Sequence, residues 1–277
     1  MPGAPVIGVR DSGVGGLTVA RCIKQAIPHA TLLYFADTAH VPYGDRPPHE
    51  VRHYALSISE FLITHGAQIV VFACNTSSAY ALAEAQEKFK VPIVGMIEPG
   101  VRAALAVSGG TIGVLATQAT VTSQVYTHCI QTRRPGTKSV EIPCPEFVPL
   151  VENERTQSAA AHHASQRYME PLLQAGADTV ILGCTHYPLL LPALREVAPH
   201  IKFVDPAEAV ATDVVSLSGD SQRSPANGTL EPVTTNDVFY VSGPVNGVRH
   251  WVEKLLPRRD EQQQPVMLTG PVFDVSV

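Results

Sequence analysis

Residues Ile69–Ser78 read IVVFACNTSS and residues Thr179–Pro188 read TVILGCTHYP. In each, a short apolar run rich in β-branched residues ends on a cysteine, and polar residues follow at once. An unbroken apolar run of this length suits a strand covered on both faces, because a strand with one wet face would alternate. Asn75 or Thr76 is a natural helix cap after the first cysteine, and Pro188 suits the first turn of a helix after the second. Cys74 and Cys184 thus stand where a strand hands over to a helix, the edge at which open α/β sheets bind ligands.

Outward from these two segments the same rhythm continues. VIGVR at 6–10, TLLYFAD at 31–37, PIVGMI at 92–97, TIGVLAT at 111–117, KFVDP at 202–206 and VFYVS at 238–242 read as further strands. Between them the stretches 16–27, 49–66, 78–89, 154–176 and 247–256 repeat apolar residues every three or four positions, as core-facing helices do. The class is α/β. IGVRDSGV from Ile7 resembles IGVLATQATV from Ile112, and the two cysteine segments follow those starts at similar distances. This echo predicts two similar parallel-sheet domains, doubly wound and related by a pseudo-twofold axis, with the thiols facing one cleft. The expected division is residues 1–98 with 208–257, then 99–207, with 258–277 as a largely irregular tail. Residues 219–236, rich in Ser, Pro, Asn and Gly, read as a surface loop.

The 277 residues are 45% hydrophobic and 16% charged, which suits a packed enzyme rather than a disordered chain. At a formal net charge of -5, with Lys and Arg scattered singly, the chain has no basic patch to follow a phosphate backbone, so no nucleic-acid partner is expected. No apolar stretch approaches the roughly 20 residues that span a bilayer, and the start lacks the pattern of a signal peptide. No membrane partner is therefore expected, and the cytoplasm is the expected location. Five cysteines, odd in number and free of any C-x-x-C pair, argue against a disulfide framework and a zinc ribbon. Small molecules remain as ligands.

A thiol at the start of a helix has a reason to be reactive, because the positive end of the helix favours thiolate. The opposing reading makes each cysteine a small buried hydrophobe, and it is kept for Cys22, Cys129 and Cys144. The polar neighbours of Cys74 and Cys184 set those two apart. His186 either packs and caps or serves as a proton donor beside Cys184. Asp11, in DSGVGG, either caps the next helix or takes part in chemistry, and the glycines there allow close backbone approach to an anion. That loop matches neither the phosphate-binding nor the dinucleotide fingerprint. Tyr43, in DTAHVPYG, has a hydroxyl to offer or is structural. A zinc site from Cys74, Cys184 and His186 lacks a fourth ligand in the spacing, so no metal is expected. None of the six lysines stands in a motif typical of a pyridoxal Schiff base, so no organic cofactor is expected.

Taken together and in order, DSGVGGLTV, DTAHVPYG, FACNTSSA, VGMIEPG and LGCTHYPLL closely resemble the glutamate racemases, from Asp11 to Leu190. The resemblance implies two α/β domains around a buried cleft and cofactor-independent interconversion of L- and D-glutamate, which supplies peptidoglycan. It implies Cys74 and Cys184 as the two acid/base residues, with Asp11, Glu152 and His186 assisting them. Ser12, Tyr43, Gly44, Asn75, Thr76, Thr185 and His186, together with Asp11, would bind substrate, and Thr117 and Thr120 would be further carboxylate-binding positions. The family's assembly implies a homodimer. Arg10 is a departure, since the family often has an apolar residue before DSG, and it reads as tolerated at a strand end. Two rivals stay open: a related two-cysteine enzyme, a racemase or isomerase acting on aspartate, a hydantoin or another α-acidic acid, and a two-lobed protein that binds an amino acid without reacting with it.

Overall fold

Val6–Asp11, the first strand (β1), is buried at every residue after Val6, as a parallel strand with helices on both faces must be. The computed structural model describes residues 4–219, 237–256 and 266–275. After β1 come α1 (Leu17–Ala26), β2 (Thr31–Ala36), α2 (Pro48–Thr64), β3 (Ile69–Phe72), α3 (Asn75–Lys88), β4 (Ile93–Val94) and α4 (Ile97–Val107). A second series holds β5 (Thr111–Ala116), α5 (Gln118–Ser123), α6 (Val125–Arg133), β6 (Ser139–Pro143), α7 (Phe147–Glu152) and α8 (Ala159–Gln174). It continues through β7 (Ala177–Gly183), α9 (Leu191–Val197), β8 (Lys202–Val204) and α10 (Pro206–Ser218). The last described elements are β9 (Val238–Val241), α11 (Val245–Leu255) and β10 (Val266–Thr269).

Among the described residues the strands form two parallel sheets, in the orders β10-β9-β2-β1-β3-β4 and β6-β5-β7-β8. The order β2-β1-β3-β4 in one matches β6-β5-β7-β8 in the other, so β1 corresponds to β5 and β3 to β7. These are the pairs whose sequences echo each other. In each sheet the chain reverses direction across the strand order at the β1/β3 or β5/β7 neighbours, the switch point where a crevice opens beyond the carboxyl ends. Asp11 and Cys74 flank the first crevice, and Thr117 and Cys184 the second.

Helix α2 shows how the layers hold. Pro48 opens it, where a missing N–H costs nothing, and Glu50 lies in its first turn, favourably placed against the helix dipole. Its buried residues Val51, Tyr54, Ala55, Ile58 and Leu62 make one stripe that packs in the same cluster as Phe35, Val70 and Phe72. The fully buried Val51, Ile58 and Leu62 side chains contribute roughly 1.5–3 kcal/mol each, and Leu62→Ala would cost about 2–5 kcal/mol through the cavity it leaves. On the other side of the first sheet, Asp237, just before β9, ties that strand to the N-terminal layer. Its carboxylate accepts the Leu32 N–H at 2.8 Å and pairs at 3.2 Å with the buried Lys24 ammonium, which also donates to the Ala30 carbonyl at 2.7 Å.

All eight strands expected from apolar runs are present, and among the described residues two more join them. β6 is an edge strand of intermediate burial that ends on Pro143, so it shows no continuous apolar run. β10 adds one short strand to the tail expected to be largely irregular: Val266–Thr269 pairs in register with Val238–Val241. The expected loop at 219–236 lies, beyond Gly219, outside the described residues. The cap after Cys74 is also corrected. Cys74 itself occupies the N-cap position and Asn75 is the first helical residue; the Cys74 carbonyl accepts both the Ser78 N–H and its hydroxyl, each at 3.0 Å.

Candidate active site

Cys74 and Cys184, 6% and 7% exposed, line one narrow cavity between the two sheets. Ser12, Tyr43, Gly44, Asn75 and Thr76 border it from the first half, and Thr117, Val148, Thr185 and His186 from the second. The two halves meet closely because glycine leaves room. A methyl group on Gly44 would stand 2.8 Å from Thr117 Cβ, and one on Gly15 would stand 2.6 Å from His186 Nδ1. A wider outer depression shares Val41, Pro42, Gly44, Thr117 and Val148 with the cavity and carries Glu152 on its wall.

The donors on the cavity wall are oriented by groups behind them. The Tyr126 hydroxyl, from α6, donates to Asn75 Oδ1 at 2.6 Å, which leaves the buried Asn75 Nδ2 without a protein partner. Asn75 lines the cavity, so this donor is unsatisfied at its wall. Thr76, Thr117 and Thr120 hydroxyls stand 2.9–3.2 Å from one another, and Thr117 caps α5 through the Thr120 N–H. Asp11 is not the cap of α1, whose N-cap is Gly16. Its carboxylate accepts the Gly13 N–H at 3.0 Å and, from across the cleft, the Thr185 hydroxyl at 3.3 Å. Tyr43 is held by a short hydrogen bond to the buried Asp37, which also accepts from His40 at 2.8 Å and from Ser242 at 2.7 Å. Ser12 and Gly44 contribute to the cavity wall.

The two thiols have unlike surroundings. Burial pushes the Cys74 thiol up from the usual range, the Asp11 carboxylate adds to that, and Arg10 together with the Ser77 hydroxyl and amide pull it back without reversing it. Cys184 Sγ stands 3.8 Å from His186 Nδ1, whose Nε2 is 2.7 Å from Glu152 Oε1. Burial works against a charged His186, yet its hydrogen bonds to Cys184 and Glu152 raise it well above the ordinary imidazole value. Thiol, imidazole and carboxylate therefore form one chain from the cavity to the outer depression, along which a charge on sulfur can be matched.

Among the described residues, no group of three or more His, Cys, Asp or Glu is gathered as a metal site, and no helix is long and apolar enough to cross a membrane. The family model for Asp/Glu/hydantoin racemases matches residues 17–214. The chain belongs to that family. It is 38% identical to the glutamate racemase of Desulforudis audaxviator over 95% of this chain and 97% of that one. Its fold is similar to the Bacillus anthracis glutamate racemase isoform RacE1, with a TM-score of 0.86 at 32% identity over 97% and 98% of the two chains. The Francisella tularensis glutamate racemase, solved in complex with D-glutamate, gives a TM-score of 0.84 at 28% identity over 98% and 99%. The resemblance drawn from the five motifs is thus matched over nearly the whole chain.

The structure brings every expected site residue to the cavity or directly behind it. It adds Asp37, His40 and Ser242 behind Tyr43, Tyr126 behind Asn75, and Arg10. Asp37 and His40 lay in view within DTAHVPYG, whereas Tyr126 and Ser242 come from distant segments and carried no local signal. The other cysteines divide. Cys144 is fully buried, while Cys22 and Cys129 are only half-buried on helix flanks, in contrast to the buried expectation. Burial nonetheless pushes the Cys22 thiol up to about 12.

Proposed function

We propose that the chain interconverts L- and D-glutamate without a cofactor, with Cys74 and Cys184 as opposed proton-transferring groups. One observation carries this reading: two cysteines from corresponding strand ends of two similar sheets line the same small cavity. Inverting an α-carbon requires a base on one face and an acid on the other. One sulfur, as thiolate, takes the α-proton and becomes a thiol; the other thiol delivers its proton to the opposite face and becomes the thiolate. The reverse reaction exchanges the roles, as microscopic reversibility requires.

The carbanion between these steps needs stabilisation by fixed dipoles in a site shielded from water. Asn75 Nδ2 and the hydroxyls of Ser12, Thr76, Thr117 and Thr185 are the donors proposed to bind the carboxylates, with Thr120 behind them and the turn at Tyr43 and Gly44 closing the wall. Asp11 would assist Cys74, and the His186–Glu152 pair would assist Cys184. Glutamate is favoured over aspartate by the relatives at 38–44% identity, which are glutamate racemases, and the D-glutamate so made would supply peptidoglycan.

The test is proton NMR of the purified chain in deuterium oxide with L-glutamate, and separately with L-aspartate, together with Cys74→Ala and Cys184→Ala. Loss of the α-proton signal and appearance of the D-isomer with glutamate, abolished in both variants, is the expected result. A single variant racemising at the wild-type rate would sink the two-base mechanism. Preference for aspartate would overturn the substrate, and binding without exchange in the wild type would favour a two-lobed binding protein.

A further inference from the structure

Arg10, the residue before Asp11 in β1, is not at an exposed strand end. It is fully buried, and none of its three guanidinium nitrogens has a hydrogen-bond partner. The guanidinium carbon lies 5.1 Å from the centre of the Phe72 ring and 5.6 Å from that of Tyr43. Cation–π contacts offset only part of the cost of burying a charge that has no acceptor. The nearby carboxylates are already engaged: Asp37 by Tyr43, His40 and Ser242, and Asp11 by the Gly13 amide and Thr185. A charge retained without a hydrogen-bonding return points to a use for the charge itself.

Its place in the fold shows that use. Arg10 pairs across the sheet with Phe72, and its carbonyl accepts the Ala73 N–H at 3.0 Å. Phe72, Cys74 and Tyr43 belong to one buried cluster, and Cys74 and Tyr43 line the cavity. The guanidinium therefore sits behind the wall that presents Cys74. The groups facing Cys74 are Asp11 and Arg10 from β1, Tyr34 from β2, Tyr43 from the turn before α2 and Ser77 from α3. Across the cavity stand Cys184 and His186. Arg10 is the cation on the Cys74 side, opposed there by Asp11.

We propose that Arg10 is a positioning residue, a fixed positive charge behind the cavity wall that stabilises the thiolate form of Cys74. The inference rests on Cys74 being one of the two proton-transferring thiols. Its test does not need turnover. Arg10→Met and Arg10→Leu remove the charge and Arg10→Lys keeps it; iodoacetamide labelling of each thiol in the substrate-free protein is followed by peptide mass spectrometry. Loss of a nearby cation lowers the thiolate fraction about tenfold. The more basic thiolate is a better nucleophile and recovers part of this, leaving Cys74 labelled about threefold more slowly at pH 8. Cys184 keeps its rate and Arg10→Lys restores that of Cys74. In the same neutral variants the rising limb of kcat/KM against pH moves to higher pH. Both neutral variants are at least as stable as the wild type, because an unpaired buried charge has been replaced by an apolar group.

Unchanged Cys74 labelling and an unmoved limb in folded neutral variants overturn the proposal, as does equal slowing of Cys184, which would report general loosening. Failure of both neutral variants to fold while Arg10→Lys folds would make the charge structural and overturn it too. A wild-type protein that does not racemise glutamate but whose Cys74 labelling responds to Arg10 would instead count against the proposed function.

Discussion

Gly15→Ala tests whether the close approach of the two halves sets the geometry of the Cys184 side. The added methyl would stand 2.6 Å from His186 Nδ1, 2.9 Å from His186 Cε1 and closer still to Thr185 Oγ1. Ordinary contact begins near 3.4 Å, so the two walls must separate or the imidazole must turn by an amount approaching 1 Å. Overpacking of this kind costs about 1–3 kcal/mol, and a displacement near 1 Å at reacting groups costs about 10²-fold in rate. A fall of roughly 10²-fold in kcat/KM is expected, followed by circular dichroism starting from either enantiomer. Because the enantiomers have equal free energy, kcat/KM must fall by the same factor in both directions; only kcat and KM taken singly can differ. Gly247→Ala is the control: it lies exposed in α11, and its methyl would meet nothing within 4 Å. That variant is expected to gain up to about 1 kcal/mol in stability from helix propensity with unchanged activity. A folded Gly15→Ala protein with wild-type kcat/KM would refute the argument.

Glu152→Gln removes the anionic partner of His186 and is expected to lower the imidazole pKa, seen by NMR titration, and to reduce kcat/KM about tenfold. Because the folded value of His186 is raised above the ordinary 6.5, the stability it contributes is fully present below about pH 6.5 and lost as pH rises through the folded value; the variant narrows that window. Tyr126→Phe frees the Asn75 amide to turn, and loss of one hydrogen bond, about 1 kcal/mol, is expected to raise KM roughly fivefold with little change in melting temperature. Asp237→Ala leaves the Lys24 ammonium buried without its carboxylate and is expected to cost about 3–5 kcal/mol in urea unfolding; a loss under 1 kcal/mol would show that water reaches Lys24.

The places of Cys74 and Cys184 were legible because each closes an apolar run of buried strand, a pattern that depends only on neighbours in the chain. The echo between β1 and β5 was legible for the same reason, and both strands lie at corresponding positions of their sheets. β6 and β10 escaped because they lie at sheet edges: β6 is only partly covered, and β10 depends on β9 to define it. The helix α4, IEPGVRAALAV, escaped because Pro99 and Gly100 in its first turn read as breakers although that end tolerates them. Asn75 looked like a cap because its side-chain type favours that role, whereas its amide is held by Tyr126 from the other half. Arg10 was visible only as an odd residue, since nothing local distinguishes a strand end that faces water from one sealed by Tyr43 and Phe72.

The pairing of β2 with β9 has a consequence for how the chain is made. Leu33 lies beside Val238, and Ala36 beside Val241, so one flank of β2 is closed by residues that leave the ribosome roughly two hundred positions later. At 5–20 residues per second that interval is about 10–40 s. All four strands of the second sheet lie between Thr111 and Val204, so they emerge, and can assemble, within it. Meanwhile TLLYFA carries an open apolar edge of the kind that recruits other chains. The half of the protein that begins first is the half that finishes last, and its nascent form is where a holding chaperone would be needed.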